Sequence, residues 1–250
     1  MRFLVGGLAV AVWAWATGRL AAFRIERHEW RPLLVLGGLF TAQLGLMNVG
    51  TNLTTASHAT ILLNSYAVHT VVLAHFLIPG DRLTHRKVAG ILVAYSGAVI
   101  LVARQWAAGG NTLAGDAIVA VSAVLLAERT IYLARAVQRF DAVKLLLAQA
   151  VLGTLGLLVL SAAIESRIPT RWTASLGLVI LYQGGVIAGF NFIANLWLLK
   201  RYRPSALAAC FLTTPVFGVL AAAVVTGDRL APDLVLSSVL VAIGIGLTIR

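Results

Sequence analysis

Long apolar runs separated by short polar connections make up almost the whole chain, and their lengths predict its fold. Runs long enough to span a membrane lie at 3–20, 33–53, 56–79, 87–103, 114–134, 142–164, 174–199, 204–226 and 232–249. A bilayer core about 30 Å thick needs roughly 20 apolar residues per helix. The pattern therefore predicts an all-α membrane protein, a single membrane domain of about nine transmembrane helices.

Proline positions support these boundaries, because proline is tolerated in a first helical turn but breaks a helix interior. The prolines at the edges of runs or in a connection are Pro32, Pro79, Pro169, Pro204 and Pro232. Pro215 alone lies inside a run, next to Thr213 and Thr214, and it frees the carbonyl of Phe211. Such a break either lines a binding site at mid-membrane or is a kink that packs well. Both interpretations remain open.

Composition and charge narrow the class of protein. The chain is 60% hydrophobic and only 12% charged, which leaves too few charges to cover a water-facing surface. Its net charge of +11 lies in short clusters between apolar runs, so no basic face for nucleic acid is predicted. Fourteen Lys and Arg residues fall on one set of alternate connections and five on the other. The positive-inside rule then predicts a multi-pass protein of the inner or plasma membrane with a cytoplasmic C-terminus.

An internal repeat accompanies this pattern. The tetrapeptide Gly80-Asp81-Arg82-Leu83 recurs 147 residues later as Gly227-Asp228-Arg229-Leu230. The same offset places Gly37-Gly38 on Gly184-Gly185 and Asn48 on Asn195. Because this offset covers five predicted helices, an odd number, the two copies enter the membrane in opposite directions. Inverted repeats of this kind are an architecture of secondary transporters.

The two segments NSYAVHTVVLAHFLIPGDRLTHRKVAGILVAYSGAVILV and LTTPVFGVLAAAVVTGDRLAPDLVLSSVLVAIGIGLTI give this repeat a family resemblance. The chain resembles the EamA-type transporters of the drug/metabolite transporter superfamily. The resemblance implies two inverted five-helix repeats, at 1–104 and 114–250, with the first helix of the family absent and four plus five helices present. It also implies a secondary transporter, an exporter of small metabolites, amino acids or drugs that works by alternating access.

Polar residues inside the runs are the candidates for a substrate pathway, since lipid cannot satisfy their hydrogen bonds. They are Asn48, Asn52, Asn64, Tyr66, His69, Asn191, Asn195, Thr213, Thr214 and Pro215. The repeat register relates Asn48 to Asn195, which predicts that the second and seventh helices form facing walls of one cavity. The alternative is that these amides only hold neighbouring helices together.

Two residues are candidates for proton coupling. Glu128 is the one acidic residue well inside a run, and a charge at a helix centre is costly enough to suggest a role. His69 lies near the middle of its run, and histidine titrates near neutral pH. The alternatives are a fifth helix that ends early, leaving Glu128 at the cytoplasmic interface, and a neutral His69 bonded to the backbone.

The turn residues Gly80, Asp81, Gly227 and Asp228 are predicted to be structural, because Gly permits a tight turn and Asp caps backbone amides or pairs with Arg. The histidine spacing predicts no metal site, and no cofactor is predicted. Expected partners are the lipid bilayer, a small-molecule substrate and a proton, with Gly185 and Gly189 as a surface for a homodimer. The competing functions are a partner subunit or fragment that does not transport and, less favoured, a membrane-embedded enzyme, for which no catalytic motif occurs.

Overall fold

The computed structural model of the chain describes residues 2–19, 24–54, 59, 62–106, 113–164, 173–211 and 213–214, together with 236, 239–240, 243–244 and 246–247. Eight helices follow one another in this part of the chain. They are α1 (Arg2–Ala16), α2 (Trp30–Asn52), α3 (Tyr66–Leu77), α4 (His85–Trp106), α5 (Leu113–Ala136), α6 (Ala142–Ile164), α7 (Ala174–Arg201) and α8 (Pro204–Phe211).

These helices agree with the predicted runs, and the secondary structure of the described residues is helical without strands. By length and composition, α2, α5, α6 and α7 are each able to cross a membrane. Of the predicted third run, the structure describes a helical position at 59, a short turn of helix from 62 and then α3 from Tyr66, and residues 56–58 and 60–61 lie outside the described residues. The eighth run is described as α8 and Thr213–Thr214, and the ninth only at isolated helical positions from 236 to 247.

Short side chains at the helix starts explain several of these boundaries, because an oxygen there accepts bonds from backbone amides that the first turn leaves free. Asp141 Oδ1 accepts from the backbone N–H of Val143 at 2.8 Å at the start of α6. Thr173 Oγ1 accepts from Leu176 N–H at 3.2 Å before α7. Thr84 Oγ1 accepts from Lys87 N–H, also at 3.2 Å, before α4.

The chain forms two compact units, each assembled from separate stretches of sequence. Unit 1 contains Met1–Gly45 and Tyr132–Arg201, and unit 2 contains Leu46–Ile131 and Tyr202–Arg250. Each unit therefore draws its helices from both of the predicted sequence repeats.

In unit 1, α2 and α6 pack side by side in parallel. A methyl group added at Gly37 would lie 2.5 Å from Leu152 Cβ, one at Gly156 would overlap Thr41, and one at Gly45 would lie 2.9 Å from Leu160. The contacts advance together along both helices, which is how two segments separated by an even number of membrane crossings must run. Glycine at these positions lets the two backbones approach closely.

An ion pair closes one end of this helix pair. Lys144 Nζ donates to Oε1 and Oε2 of Glu29 at 2.7 Å, and the backbone N–H of Glu26 donates to Oε2 at 2.8 Å. The bond from the Glu26 amide and then the contact with Lys144 hold the pKa of Glu29 below its ordinary value. Glu29 lies just before α2 begins, at the end of the helix pair where the Lys and Arg clusters lie.

This ion pair predicts a specific acid sensitivity. A lowered pKa means that Glu29 stabilises the fold fully above its unfolded value, about 4.3, and that the contribution is lost as pH falls through the lower folded value. We expect Glu29→Gln to lower the melting temperature at pH 7, and we expect this difference to shrink as the pH falls below the unfolded value. Thermal unfolding in detergent across that range measures both. A difference that persists unchanged at pH 3 would show that the charge is not the cause.

The short helix α1 packs on α6 and α7 within unit 1. A methyl group at Gly6 would lie 2.7 Å from Ala188 Cβ, and one at Gly7 would lie 3.0 Å from Ala150 Cβ. Beside this contact the rings of Phe3 and Phe40 meet edge to face, with centroids 4.9 Å apart, and Phe192 lies 6.2 Å from Phe40. Helix α7 is π-helical from Gln183 to Phe190, directly where α1 packs.

Unit 2 also relies on small residues. Ala67, Ala94 and Ala208 form a buried cluster with Tyr66 and Tyr95 packed against it, which joins α3, α4 and α8. At the other end of the unit, a methyl at Gly115 would overlap the backbone of Leu53.

Candidate functional site

A buried polar network in unit 2 joins the turn after α3 to the start of α8. Asp81 Oδ1 accepts a 2.6 Å hydrogen bond from Ser205 Oγ and a very short one from Lys87 Nζ. Asp81 Oδ2 accepts from the backbone N–H of Ser205 at 3.3 Å. Lys87 Nζ also donates to Ser205 Oγ at 3.0 Å. Asp81 is 1% exposed and Ser205 is completely buried.

The chain geometry explains how Asp81 reaches α8. Gly80 has φ of +81°, a left-handed conformation that favours glycine, and it turns the chain immediately before Asp81. Pro204 begins α8 and has no N–H, so the amide of Ser205 needs an acceptor from elsewhere. Asp81 supplies that acceptor from a distant part of the sequence, and Lys87 balances its charge.

Neighbouring residues of α5 point in different directions. Glu128 is exposed, whereas Arg129 is partly buried on the same helix face as the fully buried Ser122, seven residues earlier. The helix continues to Ala136, two turns past Glu128, so it does not end at Glu128, and a position of Glu128 at the cytoplasmic interface stays a prediction. On α5 the more buried charged side chain is therefore Arg129, whereas the sequence analysis had selected the adjacent Glu128.

The asparagines predicted to face one cavity lie in different environments. Asn48 and Asn52 are exposed, and both lie on the part of α2 that belongs to unit 2. Asn191 is exposed and Asn195 is partly buried on α7, in unit 1. Because Asn48 and Asn195 belong to different units, a cavity shared by them stays a prediction.

The polar residues of the third and eighth runs lie in unit 2. Asn64, Tyr66 and His69 are all partly buried, and Tyr66 belongs to the alanine cluster described above. The Thr213 hydroxyl donates to the carbonyl of Cys210 at 2.7 Å, and Thr214 is exposed. Pro215, Gly227 and Asp228 lie outside the described residues.

Comparison with known proteins decides the family. The model of the EamA-like transporter family matches residues 1–103 and 113–250, which is nearly the whole chain. The chain belongs to the EamA-like transporter family.

Related sequences and a solved structure agree with this assignment. An uncharacterized transporter of Clostridium kluyveri is 22% identical over 97% of this chain and 79% of its own length. The uncharacterized transporter YvbV of Bacillus subtilis is 23% identical over 98% of this chain and 79% of its own length. A crystal structure with 22% sequence identity has the same fold, with a TM-score of 0.83 over 99% of this chain and 84% of that one. The EamA-like transporter is therefore a multi-pass membrane protein with a small-molecule substrate.

Sequence reasoning missed several buried polar side chains of this EamA-like transporter. Gln43 of α2 and Gln149 and Thr154 of α6 are at most 5% exposed. Gln149 Oε1 and Thr154 Oγ1 accept no hydrogen bond from any part of the chain that the structure describes. Gln149 lies on the helix face of Gly153 and Gly156, which packs on α2. The glycines at 153 and 156 were a usable signal, because they mark the packed face of α6 on which Gln149 also lies.

Proposed function

We propose that this EamA-like protein is a secondary transporter, an exporter of small metabolites, amino acids or drugs that works by alternating access between two inverted repeats at 1–104 and 114–250. In this proposal the nine predicted transmembrane helices lie in the inner or plasma membrane with the C-terminus cytoplasmic. The basic connections support this orientation, since they include the ends of α1, α5 and α7 and the turn before α4.

One pair of contacts carries the proposal. In unit 1, Gly37 of α2 packs against Leu152 of α6, and Gly184 of α7 packs against Val5 of α1. Gly184 follows Gly37 by 147 residues, and Leu152 follows Val5 by the same number. A contact between one half and the other therefore recurs with the roles of the halves exchanged. A two-fold relation between inverted repeats predicts this exchange, and a chance similarity of glycines does not.

Interior polar groups supply what a solute pathway needs. Gln149 and Thr154 offer buried acceptors in unit 1. Such groups are costly inside a membrane unless water, a solute or another side chain bonds them. A transporter that hydrates its interior once in each cycle meets that requirement.

Transport in proteoliposomes tests the proposal. The purified chain, reconstituted in both orientations, is assayed for uptake and efflux of labelled amino acids, nucleobases and cationic drugs, with and without a pH gradient. We expect saturable, carrier-like movement of at least one solute, with counterflow when unlabelled solute is present on the far side. Failure of every solute to move above empty liposomes would favour the partner-subunit alternative.

Proton coupling is proposed to use Glu128 or His69, and two variants test it. If these groups carry the proton, Glu128→Gln together with His69→Ala abolishes the stimulation of transport by a pH gradient while counterflow continues. Counterflow is the control because it needs the alternating step without net proton movement. Unchanged stimulation in the double variant would remove both residues from the coupling mechanism.

Of the two glycines predicted to form a dimer surface, one is buried inside the chain. Gly189 is buried within the chain, where an added methyl group would lie 3.4 Å from Ala9 Cβ. At Gly185, such a methyl group has no atom of the described part of the chain within 4 Å. A homodimer therefore cannot use Gly189 as proposed from sequence, and its surface includes Gly185 only if other residues of α7 complete it.

A further inference from the structure

Helices α2 and α7 are equivalent in the proposed repeat, yet they differ in backbone geometry. Residues Gln183–Phe190 of α7 form a π-helix, and the N–H of Asn191 donates to the carbonyl of Val186, five residues earlier. The equivalent residues of α2, 36–43, are regular α-helix. A π turn accommodates one residue more than an α turn, and π turns are frequently found at functional sites.

Contacts at the start of the two segments are equivalent, as Gly37 with Leu152 and Gly184 with Val5 show. Further along, the equivalence slips by one position. Gly6 of α1 packs against Ala188, whose equivalent in α2 is Thr41. Gly153, the equivalent of Gly6, instead packs against the ring of Phe40.

A second pair of contacts slips in the same sense. A methyl group at Gly189 would lie 3.4 Å from Ala9 Cβ. The equivalents of these residues are Ala42 and Gly156, but Gly156 packs against Thr41. Both slips place α7 one residue ahead of α2, which is the extra residue that the π segment inserts between Gly184 and Ala188.

The slip also changes which side chains are buried. Phe190 is 70% exposed and Asn191 is exposed, whereas their equivalents Gln43 and Leu44 are 2% and 7% exposed. The π segment has thus rotated the following part of α7 relative to its counterpart in α2. Asn191, a candidate pathway residue, lies at the first position after the rotation.

We propose that the π-helical conformation alternates between the two helices during transport. In the state open to the other side of the membrane, α2 is then π-helical at 36–43 and α7 is α-helical at 183–190. This inference rests on the proposed function. Two inverted repeats that hold different conformations reach the opposite-facing state by exchanging those conformations. In unit 1 the difference between them is one residue of helical register, and each helix has a glycine pair at the position where that register changes.

Exchange of the segment predicts which residues of α7 meet α1 in each state. In the structure Ala9 meets Gly189; after exchange Ala9 meets Ala188, as Gly156 now meets Thr41 rather than Ala42. A pair of cysteines reports each register, because a disulfide needs Cβ atoms about 3.5–4.5 Å apart. The test uses Ala9→Cys with Gly189→Cys for this state and Ala9→Cys with Ala188→Cys for the exchanged state, both with Cys210→Ala.

We expect both cysteine pairs to form disulfides in proteoliposomes under mild oxidation, measured by mass spectrometry of the linked peptides. Even a state populated at roughly 1–10% is trapped when oxidation is slow compared with exchange. Each disulfide should abolish transport, and reduction should restore it. The mirror pairs, Gly156→Cys with Thr41→Cys or with Ala42→Cys, repeat the test in α2.

The outcomes separate the inference from the proposed function. If the reduced variants transport but the pairs with Ala188→Cys and Ala42→Cys never crosslink, the π segment is fixed and the inference is overturned, while the transporter stands. If both registers crosslink but no solute moves in the reduced chain, the proposed function is overturned and the exchange is not. Crosslinking of both registers in a transporting chain supports the two together.

Discussion

Asp81→Ala is expected to cost about 3–5 kcal/mol in the free energy of unfolding, because it removes one partner of a buried ion pair and leaves the other charge without compensation. The Lys87 side chain is 13% exposed. In the variant its ammonium group loses the carboxylate and keeps its hydrogen bond to the Ser205 hydroxyl. The substitution also removes the acceptor for the first free amide of α8. Thermal and denaturant unfolding of the purified protein in detergent measures the loss.

Matched variants separate charge from capping. Lys87→Met combined with Asp81→Ala removes both charges, so it should recover much of the loss and leave mainly the missing cap, which is worth about 1 kcal/mol. Ser205→Ala keeps the ion pair and should cost less than Asp81→Ala. If the double variant is as unstable as Asp81→Ala alone, the charge argument is wrong and Asp81 acts only through its hydrogen bonds to Ser205.

The helices of this EamA-like transporter were predictable because their signal is local. The apolar runs needed no knowledge of partners, and the predicted starts at Ala142, Ala174 and Pro204 coincide with the first residues of α6, α7 and α8. The side chains that define these starts, such as Asp141 and Thr173, act on amides within three residues. Composition and short-range chemistry suffice for features of this kind.

The candidate site was less predictable because burial depends on helix rotation, which single runs do not determine. Glu128 and Arg129 are adjacent, and a rotation of about 100° between neighbours decides which one points inward. Sequence reasoning chose the carboxylate for its rarity, and the structure buries the guanidinium more. The π segment is a second example, since Gln183–Phe190 and the equivalent α-helical residues of α2 both carry a glycine pair, and that shared feature does not predict which segment is π-helical.

The second large effect is expected on stability when Gly37 or Gly184 is replaced, and the adjacent Gly38 and Gly185 serve as controls. Gly37→Val and Gly184→Val are each expected to destabilise unit 1 by about 1–3 kcal/mol, the usual cost of overpacking. A methyl group at Gly37 already falls 2.5 Å from Leu152 Cβ, and one at Gly184 overlaps Val5. Valine adds two further carbons in the same crowded space, so α1 and α6 must move away from their partners.

The neighbouring glycines differ, because no atom of the described residues lies within 4 Å of a methyl group at Gly38 or Gly185. Gly38→Ala should therefore be neutral or stabilising, since alanine favours a helix over glycine by about 1 kcal/mol. The matched controls Gly38→Val and Gly185→Val should each cost less than valine at the neighbouring Gly37 or Gly184. Leu152→Ala should partly rescue Gly37→Val, and Val5→Ala should partly rescue Gly184→Val, with all melting temperatures measured in one detergent. Equal losses at both members of each glycine pair would mean that backbone freedom, rather than close packing, explains the glycines. Unequal losses with rescue at both sites would mean that the same packing contact is used twice, once in each half of the chain.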